Sequence, residues 1–333
     1  MARALTTVIA QLEELEDRRA AGTITLPGGQ RVDVSHLHKV FWPTLRITKG
    51  ALMRYYVRIS PFLLPAIVDR PLIMRRYPDG VRGGGFYQQR APADTPRGVR
   101  VAVLASDRVV PRRFIGGGLT TLLYMTQIAA VSQDPWFSRV PSEDEPDHSV
   151  LDLDPMPGVP FATVVDVARW IHDELERLGV PSAPKTSGAT GMHVYVPLRP
   201  RTSYETSRLF AEMVATVVAT KHPRVATVER AIRARGRRVY VDYLQNSRGK
   251  TLATAYSARA TDDAGVSTPL TWAEVDARVD RRDFTLRTID ARVRAVGDLW
   301  TAVRRARGAD LSAVISARAA VPRPRPRGSR AAR

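Results

Sequence analysis

The sequence predicts an α+β fold. Helical and strand patterns follow one another without a regular strand–helix–strand beat, which argues against a doubly wound sheet. The 333 residues, 44% hydrophobic and 25% charged, suffice for one large or two closely packed domains and exclude disorder over most of the chain. No internal repeat interrupts this mixture.

The elements follow in order. Residues 4–20 set Leu5, Val8, Ile9, Leu12 and Leu15 on one stripe, an amphipathic helix at the N-terminus. Thr23–Val34 reads as a hairpin turning at Pro27-Gly28-Gly29. Thr48 caps a long helix over 49–68 that Pro61 interrupts. A strand is expected at 70–77, flexible glycine stretches at 80–89 and 114–120, and a buried helix at 119–131. The short apolar run 149–154 reads as a strand, and 161–178 as a helix stopped by Gly179. A loop at 186–192 feeds a strand; helices are expected at 203–221 and 226–235, strands at 237–245 and 251–257, and a last helix at 287–307. The segment 309–333 is basic, and its final thirteen residues hold five arginines, three prolines and no acid, so a largely disordered tail is expected. Such a tail either grips phosphates or only solubilises. The division that results is a helical extension at 1–22, a catalytic domain at 23–308 and the tail.

Composition narrows the chemistry. There is no cysteine, which excludes disulfides, thiolate metal sites and cysteine nucleophiles. No apolar run spans a membrane, and the first twenty residues lack the pattern of a secretory signal, so a cytoplasmic, nucleoid-associated protein is expected. Lys plus Arg number 51 against 33 acids, a net charge of +18 that points to a polyanionic partner rather than a merely solvated surface. Only five of those cations are lysines, and four of them (Lys39, Lys49, Lys185, Lys250) fall in the segments singled out next.

Asp152-Leu153-Asp154-Pro155 ends an apolar strand, and residues i and i+2 of a strand share a face. Two carboxylates side by side repel unless they hold a cation jointly. Asp242 sits in a second apolar strand and is costly there unless paired. Three acids on adjacent strands would make a two-metal site for phosphoryl transfer, with ions about 3.5–4 Å apart. The alternative is a turn at Asp154-Pro155 and an ion pair from Asp242 to Arg237 or Arg238. Lys185–His193 carries two glycines beside Ser187 and Thr190, a loop able to wrap an anion or simply to connect strands, with His193 at the start of the following strand. Around Asp242, Arg235, Gln245, Asn246, Lys250 and Arg259 supply cations and amides for phosphates, sugar hydroxyls or base edges, or else form a solvated basic face. His36 to Pro43 with Lys49 could hold a phosphate; His36 and His38 lack the acid or third histidine of a metal site. Phe86 and Tyr87 follow Arg75 and Arg76, a pattern suited to stacking on unpaired bases unless one ring turns into the core.

From about Val34 to Trp300 these segments resemble the polymerase domain of bacterial ligase D, in the archaeo-eukaryotic primase superfamily. His38–Pro43 with Thr48-Lys49, Arg75–Gln89, Asp152–Pro155, Lys185–Leu198, Val241–Thr251, Ala255–Arg259 and Asp283–Thr288 all occur in the family's order. The resemblance implies a primase-like fold with a mixed sheet and the active site between two α/β halves. It implies Asp152, Asp154 and Asp242 as metal ligands for two ions, Mn²⁺ or Mg²⁺, and Ser187, His193, Arg235, Gln245, Lys250 and Arg259 around the incoming nucleotide. Lys39 and Lys49 match the lysines that hold a 5′-phosphate, Phe86 and Tyr87 the pair that stacks on the template, and Arg75 a DNA contact. The chain departs from the family in having Asp134 where a histidine is common, Thr190 where a lysine is usual, and Leu37-His38 where a pair closer to Pro-Asp precedes the lysine. No nuclease or ligase module accompanies the motifs, so a stand-alone, monomeric relative is expected. The implied activity is template-directed addition of NTPs or dNTPs, ribonucleotides favoured, to a primer 3′-hydroxyl at short gaps or broken ends in DNA repair, with gapped or broken 5′-phosphorylated DNA and end-joining or other repair proteins as partners. De novo priming and non-catalytic binding of nucleic-acid ends are the alternatives.

Overall fold

The computed structural model describes residues 2–319 apart from 106, 108, 110, 111 and 278; the arginine–proline segment at 321–333 lies outside the described residues. Helix α1 (Ala2–Asp17) leads into the hairpin β1 (Gly22–Thr25)–β2 (Arg31–Val34), where Gly28 and Gly29 take the positive φ that the turn needs. A second small hairpin, β3 (Val40–Trp42)–β4 (Ile47–Thr48), delivers the chain to α2 (Lys49–Ile67). The Thr48 hydroxyl accepts from the Ala51 N–H at 3.0 Å, the cap expected from the sequence. The expected interruption at Pro61 does not occur, and α2 runs through both Pro61 and Pro65. Pro61 has no N–H to offer the Val57 carbonyl, and the Ser60 hydroxyl donates to that carbonyl instead, at 2.8 Å.

Strand β5 (Pro71–Arg76) pairs antiparallel with β6 (Phe86–Gln88), β8 (Arg112–Ile115) and β9 (Asp134–Pro135), and β7 (Val101–Val103) extends the sheet from β8; α3 (Leu119–Gln127) lies between β8 and β9 in the chain. The glycine stretches expected to be flexible are built in. One ends in β6, and in the other a Cβ on Gly116 would lie 2.3 Å from the Ile67 carbonyl oxygen. A second sheet has the order β11 (Ala183–Thr186), β12 (Met192–Pro197), β10 (His148–Pro155), β14 (Val239–Asp242), β13 (Ala226–Thr227). Its pairs are antiparallel except β13 with β14, so it is mixed. Helix α4 (Phe161–Arg177) stops at Gly179, as expected, and α5 (Tyr204–Lys221) follows β12. The chain closes with α6 (Trp272–Asp276), α7 (Ile289–Val296), α8 (Trp300–Arg305) and α9 (Leu311–Ala319).

Five expectations fail here. Residues 226–235 form no α-helix: Ala226 and Thr227 pair with β14, and only a 3-10 turn at Ile232–Ala234 follows. The strand expected at 237–245 is confined to β14, and 251–257 is irregular, touching the strands through isolated bridges such as Trp136 with Thr251. The last helix is two, broken at Gly297, which takes φ +73°. The basic tail does not begin at 309, because Leu311 is buried and Val314 and Ile315 pack on the same core as α5. At 226–235 and in the tail, tertiary packing overrode a local pattern, whereas the last helix is broken by the local conformation of Gly297.

The alternation of β10 positions the chemistry. Leu151 and Leu153 face α4 and α5, joining Val164, Ile171, Phe210 and Val214 in one core. Val150, with Tyr195 of β12, instead joins the core of the N-terminal half, beside Tyr55, Leu72 and Phe137. Asp152 and Asp154 share Val150's face, so strand period alone directs both acids towards the junction of the halves.

Candidate active site

Register brings the third acid in. Asp152 lies directly across from Asp242 on β14 and from His193 on β12, and His193 lies across from Lys185 on β11. Directly opposed residues share a face, so Lys185, His193, Asp152 and Asp242 form one row over four strands. Asp154 stands two residues further along, across from Tyr240. One carboxylate oxygen from each of Asp152, Asp154 and Asp242 lies within 4.8 Å of the others. No ion pair joins Asp242 to Arg237 or Arg238 among the described residues; it accepts from the Leu244 N–H at 2.8 Å, Gln245 Nε2 at 3.1 Å and the Tyr240 hydroxyl at 3.2 Å.

The cluster is electrostatically unhappy by itself. Burial first, then Asp154 and Asp242, pushes the Asp152 carboxyl well above the usual carboxylate range, and burial with Asp242 raises Asp154. The neighbouring bases offer little relief. Burial, then Arg259, pushes the Lys185 amine well below its ordinary value, and burial pushes the His193 imidazole well down, helped by Lys185 and Arg259. Lys185 spends its hydrogen bonds on the Ala253 carbonyl at 2.8 Å and the Ser267 hydroxyl. His193 Nε2 lies 3.3 Å from Asp152 Oδ1, while buried Nδ1 has no partner among the described residues. Three oxygen donors that repel one another fit a hard divalent cation, which would relieve the repulsion.

The other residues expected around a nucleotide divide. The Ser187 hydroxyl accepts from the Ala189 and Gly191 N–H groups, both at 3.1 Å, and so shapes its own loop. Gly191 is required there, since a Cβ would meet the Leu153 carbonyl oxygen at 2.1 Å. Arg259 donates to the Ser187 carbonyl at 3.3 Å and lowers the carboxyl affinities for protons of both Asp152 and Asp154. The Arg235 guanidinium lies 3.6 Å from the centre of the Tyr240 ring and acts on Asp154 in the same way. Gln245 reaches the site through Asp242. Lys250 is exposed and makes no side-chain contact with the cluster among the described residues. Asn246 does not face a ligand at all: fully buried, its amide bonds Val150 N at 2.8 Å and Val150 O at 2.7 Å, tying the 243–246 turn to β10.

The basic–aromatic residues form a separate strip. Phe86 and Tyr87 are both exposed, so neither ring enters the core. Arg75 pairs with Tyr87 and Arg76 with Phe86, each guanidinium lying over its partner ring at 5.5 and 5.4 Å. Adjacent strand residues point to opposite faces, so the rings straddle the hairpin. Tyr87 and Arg75 share the face of Ile73, which pairs with Asp134. Lys39 pairs with Asp79 at 3.2 Å. Lys49 is buried; its ammonium donates to Gln127 O at 3.2 Å and Oε1 at 2.9 Å, and burial, then Lys39, lowers its pKa to about 8.

Sequence reasoning placed Lys185 only at the start of a loop able to wrap an anion and gave no role to Tyr240. Tyr240 was legible as the i−2 neighbour of Asp242. Lys185 needed the β11–β12 register, which no spacing in the sequence specifies.

Three converging carboxylates on a mixed sheet in a strongly basic chain suit metal-assisted phosphoryl transfer on a polyanion, and the family match makes that a nucleotidyltransferase of the primase–polymerase class. The family model for the LigD primase-polymerase domain matches residues 48–300, and the chain belongs to that family. It is 30% identical over 272 residues to the bifunctional non-homologous end joining protein LigD of Bacillus subtilis, covering 81% of this chain and 44% of that protein. It is 31% identical over 301 residues to the multifunctional non-homologous end joining DNA repair protein LigD of Mycobacterium tuberculosis, covering 84% and 40%. The chain thus spans less than half the length of these relatives. The polymerase domain of M. tuberculosis ligase D, solved in complex with DNA, superposes with a TM-score of 0.76 at 29% identity, covering 82% of this chain and 98% of that one. Among the described residues, no helix is long and apolar enough to cross a membrane.

Proposed function

We propose that this chain is a template-directed polymerase that adds nucleotides to a primer 3′-hydroxyl at short gaps or broken DNA ends, using Mn²⁺ or Mg²⁺ and working where the chromosome lies. The observation that carries the reading is the convergence of Asp152, Asp154 and Asp242 on one sheet face, a donor set suited to divalent ions. Ions held there would supply the charge neutralisation and hydroxyl activation that phosphoryl transfer needs. Among the chain's own groups, Arg259 and Arg235 set positive charge at the rim of the acids, where a triphosphate would lie. His193 Nδ1, buried and without a partner among the described residues, is left to bond that nucleotide. Ser187 acts by fixing the glycine loop, Gln245 by orienting Asp242, and Lys250 as an exposed cation. Tyr87 with Arg75 supports an unpaired template base on the Asp134 face, and Phe86 with Arg76 the strand on the other face. Lys39 and Lys49 receive the 5′-phosphate of the downstream strand. The 23–308 unit carries all of these residues, and ribonucleotides are the favoured substrates.

Extension of a labelled primer on a short gapped duplex, with metal, sugar and the downstream 5′-phosphate varied together, tests the reading. Templated addition that needs Mn²⁺ or Mg²⁺ is expected. Binding of the duplex with no addition under any metal would leave only an end-binding protein, and equal synthesis without a primer would make it a primase.

A further inference from the structure

Helix α1 precedes the span matched by the family model, yet it is wired to the turn that carries Lys49. Val8 and Leu12 are buried in the N-terminal core, and Gln11 grips β1 through Thr25, accepting from its N–H at 2.8 Å and donating to its carbonyl at 3.1 Å. So anchored, α1 brings Glu16 at its C-terminal end against the first turn of α2. The Glu16 carboxylate accepts from the Thr48 hydroxyl at 2.5 Å and from the Arg54 guanidinium, and its side chain is 13% exposed. Thr48 is at the same time the cap of α2. Gly50 leaves the space for this approach, because a Cβ there would lie 2.3 Å from Glu16 Oε2. The other side of the turn is fastened to the Lys39 loop: the Lys49 N–H donates to the Lys39 carbonyl and the Gly50 N–H to the Leu37 carbonyl, both at 2.8 Å. The turn bearing one phosphate-site lysine, and the loop bearing the other, are therefore clamped from α1.

We propose that Glu16 is a positioning residue for recognition of a 5′-terminal phosphate: by fixing Thr48 and the first turn of α2, it aims the Lys49 ammonium beside Lys39. The inference rests on the reading of Lys39 and Lys49 as the 5′-phosphate site. Glu16 does not touch DNA. Its carboxylate sits at the N-terminal end of α2, where negative charge is favourable, and holds the capping hydroxyl in a single orientation. Among the described residues, loss of the carboxylate leaves Arg54 only its pair with Glu13 at 3.7 Å and the Thr48 hydroxyl only the Ala51 N–H. The turn can then drift, which matters most to a contact whose strength depends on the distance between one ammonium and one terminal phosphate.

The test is a ratio. Fluorescence anisotropy measures the affinity of the full chain for a gapped duplex with a 5′-phosphate and for the same duplex with a 5′-hydroxyl. Glu16→Ala should reduce the phosphate preference about fivefold, the size of a lost cap, while affinity for the hydroxyl form and extension of a primer–template lacking a downstream strand stay unchanged. Glu16→Gln, which keeps an acceptor for Thr48, should restore most of the preference. Gly50→Ala, which leaves Glu16 in place chemically but displaces it, should repeat the loss and serves equally if Glu16→Ala folds poorly. An unchanged ratio in Glu16→Ala and Gly50→Ala, or an equal fall with both duplexes, overturns the inference. Absence of any phosphate preference in the wild type would instead remove the reading of the lysine site beneath it.

Discussion

On the β10–β14 face, charge is concentrated in three converging acids, with Asp152 buried, Asp242 half-buried and Asp154 exposed; along the strip formed by the 37–50 turn and the β5–β6 hairpin, positive charge is dispersed over separate residues. The acids are held by backbone register and by hydrogen bonds to Asp242, in a position that raises the proton affinity of Asp152 and Asp154. The cations of the strip stand apart, Lys39 on a turn and Arg75 and Arg76 at the end of β5, each with a local partner: Lys39 with Asp79, Arg75 with Tyr87, Arg76 with Phe86. The first arrangement stores repulsion that a bound cation releases. The second keeps charges ready for a long, variable polyanion and needs no such precision. Groups converging on one point suit the chemistry, and groups spread along the surface suit the grip.

The contrast can be broken most sharply at the acids. Asp152→Asn or Asp242→Asn should cut primer extension at least about a thousandfold, several kcal/mol of transition-state stabilisation, while gapped-duplex affinity is retained. The same Asp152→Asn protein should melt higher than wild type in EDTA at neutral pH. A carboxyl raised in the folded state contributes stability below its unfolded pKa, near 3.8, and loses that contribution as pH rises through the folded value. A lower melting temperature for the variant in EDTA would deny that the cluster stores repulsion.

The strip answers in smaller steps. Tyr87→Ala should weaken extension on a single-stranded template overhang by about tenfold to a hundredfold, the loss of one stacked base. Phe86→Ala, on the other face, should act chiefly when a downstream strand is present, and equal effects of both variants on both templates would merge the two faces. Smallest is the titration of Lys49. With its pKa lowered to about 8 it is charged below that pH and neutral above, so preference for a 5′-phosphate over a 5′-hydroxyl should fall about tenfold between pH 7 and pH 9. A flat profile would mean that Lys49 does not carry the contact.

Asp152 and Asp154 were legible as a pair because a strand's period is two, and the acids' composition as oxygen donors already named the kind of ion. The hairpin at Pro27-Gly28-Gly29, the Thr48 cap and the stop at Gly179 were legible because each is a local conformational demand. Asn246 misled, because an amide among cations looks like a reader of bases until its burial is known. The stretch 226–235 misled because its helical spacing is outweighed by pairing with a strand not yet reached in the chain.

Residue types and their local spacing therefore determined which groups this protein possesses and which neighbours share a face. Which distant groups meet was decided by strand register and helix docking: Asp242 across from Asp152, Lys185 behind His193, Glu16 against Gly50. Those contacts join residues between 8 and 90 positions apart. They arise from burying whole faces of helix and sheet at once, a cooperative gain that no short window of sequence contains.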